Sequence, residues 1–153
     1  MLASLSFSAD AGLLTVLRQR PGDPPSLQVL APAMNRFVRI HPAQDAFIIN
    51  VGDILQVLTN ERYRAPVHRV LVADRDRYSS PLFLNPRYDS LCSARVLEEG
   101  EAPLYVPFTW GEFRRKRFEG DFEDAGYDEV QVRDYRLSQQ QRQQQQEEAP
   151  SRL

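Results

Sequence analysis

Apolar and polar positions along the first two thirds of the chain fall into short runs separated by turn residues. Residues 13–17 are apolar around Thr15 and Val16, and Pro21-Gly-Asp-Pro-Pro-Ser26 ends the run. Residues 27–31 follow and stop at Pro32, and residues 37–40 alternate sides and stop at Pro42. Residues 46–51 are continuously apolar apart from Asn50, the pattern of a strand buried on both faces. Gly52-Asp53 breaks that run, and residues 54–58 suit one short helical turn. Residues 66–72 and 80–84 read as further strands, the last closed by Asn85-Pro86. Short strands at close spacing with Gly and Pro between them predict a mainly β sandwich or barrel rather than a βαβ fold.

The character changes after Pro107. Residues 109–118 have helical spacing, with Trp110, Phe113 and Phe118 as apolar members and Thr109 as N-cap ahead of Glu112. The basic run Arg114-Arg-Lys-Arg117 reads as a solvated helix face, because Glu119, Asp121, Glu123 and Asp124 follow at once. Residues 138–148 are nearly all Gln and Glu, a low-complexity stretch that cannot pack a core, although it can be transiently helical. The division expected is a β core over residues 1–107, a helical extension over 108–137 and a Gln-rich disordered tail over 138–153.

Composition narrows the function classes. A chain of 153 residues is the size of one ordinary domain. Its formal net charge of −2 disfavours a general electrostatic grip on nucleic acid. No apolar run approaches the ~20 residues of a membrane helix. The single cysteine, Cys92, rules out an internal disulfide and a thiolate metal cluster, which fits a reducing, cytoplasmic setting. Lys116 is the one lysine among 19 basic residues, and the arginines are scattered rather than clustered into a binding surface.

Candidate chemistry is sparse when residues are taken singly. His41 sits at a strand end, where a turn histidine is the default. His68 lies within an apolar strand, where a lone histidine is more often structural than catalytic. There is no Gly-x-Ser-x-Gly element and no glycine loop to cradle a phosphate. Cys92 has no neighbouring base in sequence and reads as an inert buried thiol.

The combination says more. Asp10-Ala-Gly-Leu-Leu-Thr15, Ile49-Asn-Val-Gly-Asp53, Thr59-Asn-Glu-Arg62, Pro66-Val-His-Arg-Val70 and Arg77-Tyr-Ser79 with Phe83-Leu-Asn-Pro86 stand in order at compatible spacing. Together they resemble the C-terminal part of non-haem iron(II), 2-oxoglutarate-dependent dioxygenases of the isopenicillin N synthase-like group. The resemblance covers roughly residues 8–94, with a weaker echo from Trp110 to Asp121. It implies a double-stranded β-helix, or jelly roll, incomplete at its N-terminus and followed by a C-terminal helix. It also implies Fe(II) held by two histidines and one carboxylate, with 2-oxoglutarate and O2 at the remaining positions. Position by position, Asp10 would be the carboxylate ligand and His68 the distal histidine. Arg77 and Ser79 would clamp the remote carboxylate of 2-oxoglutarate, a guanidinium fork and a hydroxyl matching its oxygens. Asn50 and Asp53 would be structural, ending the buried strand and capping the turn after it. The activity implied is oxidation of a small organic substrate coupled to decarboxylation of 2-oxoglutarate.

This sequence departs from that pattern at two points. The first histidine of the family's His-x-Asp motif is replaced by Ser8, and a serine hydroxyl is a poor substitute for imidazole on Fe(II). The family's long N-terminal half is also missing, which would leave sheet edges open to self-association. One expectation ties the two together: residues 2–9 read as a translated intron end, with Asp10 opening the true exon. Two other readings stay open. One is an isopenicillin N synthase-type oxidase that uses no 2-oxoglutarate. The other is a non-catalytic jelly-roll binding module or degenerate paralogue without a full metal triad.

Overall fold

A computed structural model of the chain describes residues 9–118 and 130–148. They form two compact units, one of residues 9–53 with 64–85 and one of residues 54–63 with 86–118 and 130–148.

The first unit is built from β1 (Leu14–Gln19), β2 (Leu27–Ala31), β3 (Arg36–Arg39), β4 (Ile48–Val51), β5 (His68–Val70) and β6 (Ser79–Leu84). They make two antiparallel three-stranded sheets, ordered β4-β1-β6 and β3-β2-β5. From β3 onward the chain passes back and forth between the sheets, giving a partial double-stranded β-helix. Within the β2–β3 hairpin, a 3-10 turn at Pro32–Met34 ends at Asn35, whose φ of 45° an asparagine tolerates, and the Asn35 N–H returns to the Pro32 carbonyl.

Register fixes which residues share a face, since cross-strand partners lie on the same side. Thr15 pairs with Asn50 and Phe83, and Gln19 pairs with Ser79, so all five line one face of the first sheet. In the second sheet Val29 pairs with His68 and Val38. Among the described residues of this unit the buried aliphatic side chain is Leu27, set against buried polar Thr15, Gln19, Asp23, Ser26, Gln28 and Asp53. Buried polar side chains are the informative exception to apolar burial.

In the second unit, which the chain enters through α1 (Asp53–Leu58), β7 (Leu91–Cys92) pairs with β8 (Phe108–Thr109), and α2 (Trp110–Phe118) and α3 (Gln139–Glu148) follow. Its core is aromatic: Phe108 lies 4.3 Å from Tyr135 and 5.4 Å from Phe113 between ring centroids, and Trp110 packs 6.1 Å from Phe113. Ile54, Val57, Tyr105 and Val132 are buried with them. Thr109 caps α2 as expected, its Oγ1 accepting from the Glu112 N–H while the Glu112 carboxylate accepts from Thr109. Cys92 is buried, and burial pushes its thiol up to about 11, in keeping with an inert group.

Several expectations change. The strand predicted to be buried on both faces is the edge strand β4, and Ile49 is 58% exposed because its outer face is uncovered among the described residues. The strand predicted over residues 66–72 narrows to β5, limited by its pairing with residues 27–29. Arg117 is not part of a solvated face: it is buried with its guanidinium carbon 5.8 Å from the Phe113 ring centroid. The Gln-rich stretch read as disordered is helical over α3, with Ser138 and Gln141 exchanging cap hydrogen bonds. Ser8 and the acidic run from Glu119 to Asp124 lie outside the described residues.

Candidate metal and cosubstrate site

Asp10 precedes β1 and is held at three points. Its Oδ2 accepts from Thr15 Oγ1 and from Asn50 Nδ2, both at 2.6 Å, and its carbonyl accepts the Asp53 N–H at 2.7 Å. Two short charge-assisted bonds to one oxygen fix the carboxylate plane and leave Oδ1 free to act. Close backbone approach makes this possible: a Cβ on Gly52 would lie 2.2 Å from the Gly12 carbonyl oxygen and 3.0 Å from that of Asp10. Glycine is needed here for space, not for φ.

The freed oxygen faces His68. His68 Nε2 lies 3.7 Å from Asp10 Oδ1, and both side chains are about four-fifths buried. At the other side of the ring, Nδ1 sits 3.2 Å from the Pro66 carbonyl, which can only accept. That acceptor favours a proton on Nδ1 and turns Nε2 toward Asp10. A separation of 3.7 Å is too long for a hydrogen bond. It is within the span of two bonds of roughly 2.0–2.2 Å, the distances zinc makes to imidazole nitrogen and carboxylate oxygen. The pair therefore fits two positions of a divalent metal's coordination shell. Among the described residues no group of three or more His, Cys, Asp or Glu side chains is gathered for a metal.

Arg77 and Ser79 stand two residues apart at the entry to β6. Neither makes a hydrogen bond or ion pair with Asp10 or His68 among the described residues, so the structure joins the first pair but not all four. The Arg77 side chain is half-buried and has no carboxylate partner among the described residues. Gln19, the register partner of Ser79, is 4% exposed, and its Oε1 has no hydrogen-bond partner among the described residues. His41 is exposed.

Sequence reasoning missed Thr15 and misread Asn50. Asn50 does not merely end a strand; it grips the Asp10 carboxylate from 40 positions away. The available signal was a polar residue at an inward strand position in each run, but the β1–β4 register that brings Thr15 opposite Asn50 is not written in either run alone.

Comparison with known proteins gives the class. The profile of the 2OG-Fe(II) oxygenase superfamily matches residues 3–86. The 2-oxoglutarate-Fe(II) type oxidoreductase hxnY of Emericella nidulans is 35% identical over 103 residues, covering 65% of this chain and 29% of that protein. Among solved structures, the dioxygenase for auxin oxidation in rice superposes with a TM-score of 0.67 at 32% identity, over 78% of this chain and 40% of its own. JOX2 in complex with 2OG, Fe and JA superposes with a TM-score of 0.65 at 33% identity, over 72% of this chain and 32% of its own. The chain belongs to the 2OG-Fe(II) oxygenase superfamily, whose metal and cosubstrate are Fe(II) and 2-oxoglutarate. It spans about a third of the length of its curated relatives.

Proposed function

We propose that this chain carries the metal- and cosubstrate-binding core of an isopenicillin N synthase-like Fe(II)/2-oxoglutarate oxygenase that oxidises a small organic substrate in a reducing, cytoplasmic setting. The observation that carries the reading is the facing of Asp10 Oδ1 and His68 Nε2 at 3.7 Å, each anchored from behind by its own hydrogen bonds.

In this reading Asp10 and His68 hold Fe(II). Thr15 and Asn50 hold the Asp10 carboxylate in plane, and the Pro66 carbonyl holds the His68 ring by Nδ1 so that Nε2 is the nitrogen presented. Bound there, the metal supplies positions for 2-oxoglutarate and O2 and the redox chemistry that oxidises the substrate. Arg77 and Ser79 hold the distal carboxylate of 2-oxoglutarate, setting its direction of entry. Ser8 stands where the family has its first histidine. Strand β6, at the edge of its sheet among the described residues and exposed along its length, supports self-association, and a net charge of −2 speaks against nucleic acid as partner.

A second reading is favoured by one observation, the serine at position 8 where the family's His-x-Asp motif has its histidine: a jelly-roll binding module that keeps 2-oxoglutarate recognition without turnover. Anaerobic titration of the chain with Fe(II) and 2-oxoglutarate separates the two. The oxygenase reading expects the visible charge-transfer band of the chelated metal, abolished in His68→Ala. A band absent from the wild-type chain but present in Ser8→His would assign the loss to one ligand and favour the binding module. A folded chain silent in both would end the enzyme reading. Turnover independent of added 2-oxoglutarate would point instead to the oxidase variant.

A further inference from the structure

The turn between β1 and β2 makes contacts that the metal site does not use. Arg20-Pro21-Gly22-Asp23 has the signature of a type II turn, with Pro at its second position and Gly22 at φ 81°, and the Asp23 N–H returns to the Arg20 carbonyl at 3.2 Å. This folds Asp23 back over Arg20. Oδ1 of Asp23 accepts from Arg20 Nε at 2.8 Å and lies 2.7 Å from its Nη2. Oδ2 accepts the backbone N–H of Tyr78 at 2.7 Å.

Tyr78 is the residue between Arg77 and Ser79. The Arg20 N–H donates to its carbonyl at 3.4 Å, and the Arg20 guanidinium lies over its ring, 4.4 Å from the centroid. Arg75 adds a bond to the Gly22 carbonyl at 3.1 Å. Both backbone polar groups and the ring of Tyr78 are thus held by one turn. Asp23 is buried, with its side chain 6% exposed, whereas that of Arg20 is 56% exposed. The Tyr78 N–H bond first, and then Arg20, keep the Asp23 carboxyl below the usual carboxylate range. Burying a carboxylate is costly unless its oxygens are satisfied, and here the groups that satisfy it belong to the segment that carries Arg77 and Ser79.

We propose that Asp23 and Arg20 are positioning residues for cosubstrate recognition: their clasp on Tyr78 sets the backbone from which Arg77 and Ser79 project toward the distal carboxylate of 2-oxoglutarate. The inference rests on the reading of Arg77 and Ser79 as that clamp. On an extended segment alternate residues share a side, so fixing the middle residue fixes the pair around it. A one-residue rotation at Tyr78 would turn both groups away.

The test measures two affinities in the full chain, Fe(II) alone and 2-oxoglutarate in the presence of Fe(II), by anaerobic calorimetry, with thermal melting alongside. Asp23→Ala is expected to weaken 2-oxoglutarate about tenfold, the scale of one strong coupling, while Fe(II) binding at Asp10 and His68 stays unchanged. Asp23→Asn keeps an oxygen for the Tyr78 N–H and is expected to recover most of the loss. Arg20→Lys, which retains charge but not the ring contact or the fork, should fall between them. Arg77→Ala is the control for the underlying reading. If it leaves 2-oxoglutarate affinity intact, or if the wild-type chain binds none, the clamp reading fails and the inference with it. If Arg77→Ala weakens 2-oxoglutarate but Asp23→Ala does not, the clamp stands and the positioning role is overturned. Equal loss of Fe(II) and 2-oxoglutarate affinity in Asp23→Ala, with a lowered melting temperature, would make the clasp a general structural element and overturn the positioning role as well.

Discussion

Asn50 on β4 donates to Asp10 Oδ2 at 2.6 Å, while the other oxygen of the same carboxylate faces His68 Nε2 at 3.7 Å. One side chain thereby aims another. Outer partners of this type set the orientation and basicity of a ligand, and their loss ordinarily costs about 10–100-fold in metal affinity. Asn50→Ala is therefore expected to weaken Fe(II) binding by about that factor without unfolding the chain. Titration of the variant with Fe(II), with circular dichroism as the folding control, checks this; wild-type affinity in Asn50→Ala would remove Asn50 from the site.

Gly52 has no room for a side chain. An added methyl would meet the Gly12 carbonyl oxygen at 2.2 Å and the Asp10 carbonyl oxygen at 3.0 Å, both backbone atoms of the segment leading into β1. Gly52→Ala is expected to cost about 1–3 kcal/mol, the ordinary range for overpacking, and to shift Asp10 away from His68. Urea denaturation reads the first effect and the Fe(II) titration the second. A variant as stable as wild type would show that the β1 and β4 ends part more readily than their close approach implies.

Glu101 supplies a pH dependence. The Arg62 guanidinium, then the Glu98 N–H and the Asn60 amide, hold its carboxyl down from the ordinary 4.5 to about 2. A depressed carboxyl adds stability that is present above its unfolded pKa and lost as pH falls through the folded one. The advantage of wild type over Glu101→Gln in melting temperature should thus be full above pH 4.5 and fade toward pH 2. Parallel melting curves at the two ends of that window decide it, and a constant offset between them would rule the linkage out.

Thr109 closes the N-terminus of α2 through reciprocal bonds with Glu112. Thr109→Ala is expected to lower stability by about 1 kcal/mol, within the usual 0.5–2 kcal/mol span for such caps, and Thr109→Ser to retain most of it. Denaturation midpoints of the two variants provide the measurement. Equal midpoints would mean that aromatic packing around Phe113, not the cap, sets where the helix begins.

Much of this protein is local and was legible. The strand at residues 27–31, the helix cap at Thr109 and the buried Cys92 all rest on short local patterns. The face of β4 was not legible, because a continuous apolar run reads the same in a central strand as in an edge strand, and only the strand order separates them. Nor was the burial of Arg117, since one turn of a basic run says nothing about which residue stacks on Phe113.

The sequence by itself determined where the turns of the first unit fall, roughly where its six strands lie, and which residue types are available for chemistry, because those follow from backbone sterics and nearest neighbours. Tertiary structure alone decided that Thr15 and Asn50 share one oxygen of Asp10, that Gly52 must be bare, and that the Pro21-Gly22 turn reaches Tyr78. Side chains alternate with a period of two along a strand, so a slip of one residue between β1 and β4 would put Thr15 and Asn50 on opposite faces. That register is set by pairing residues tens of positions apart, and a local pattern carries no record of it.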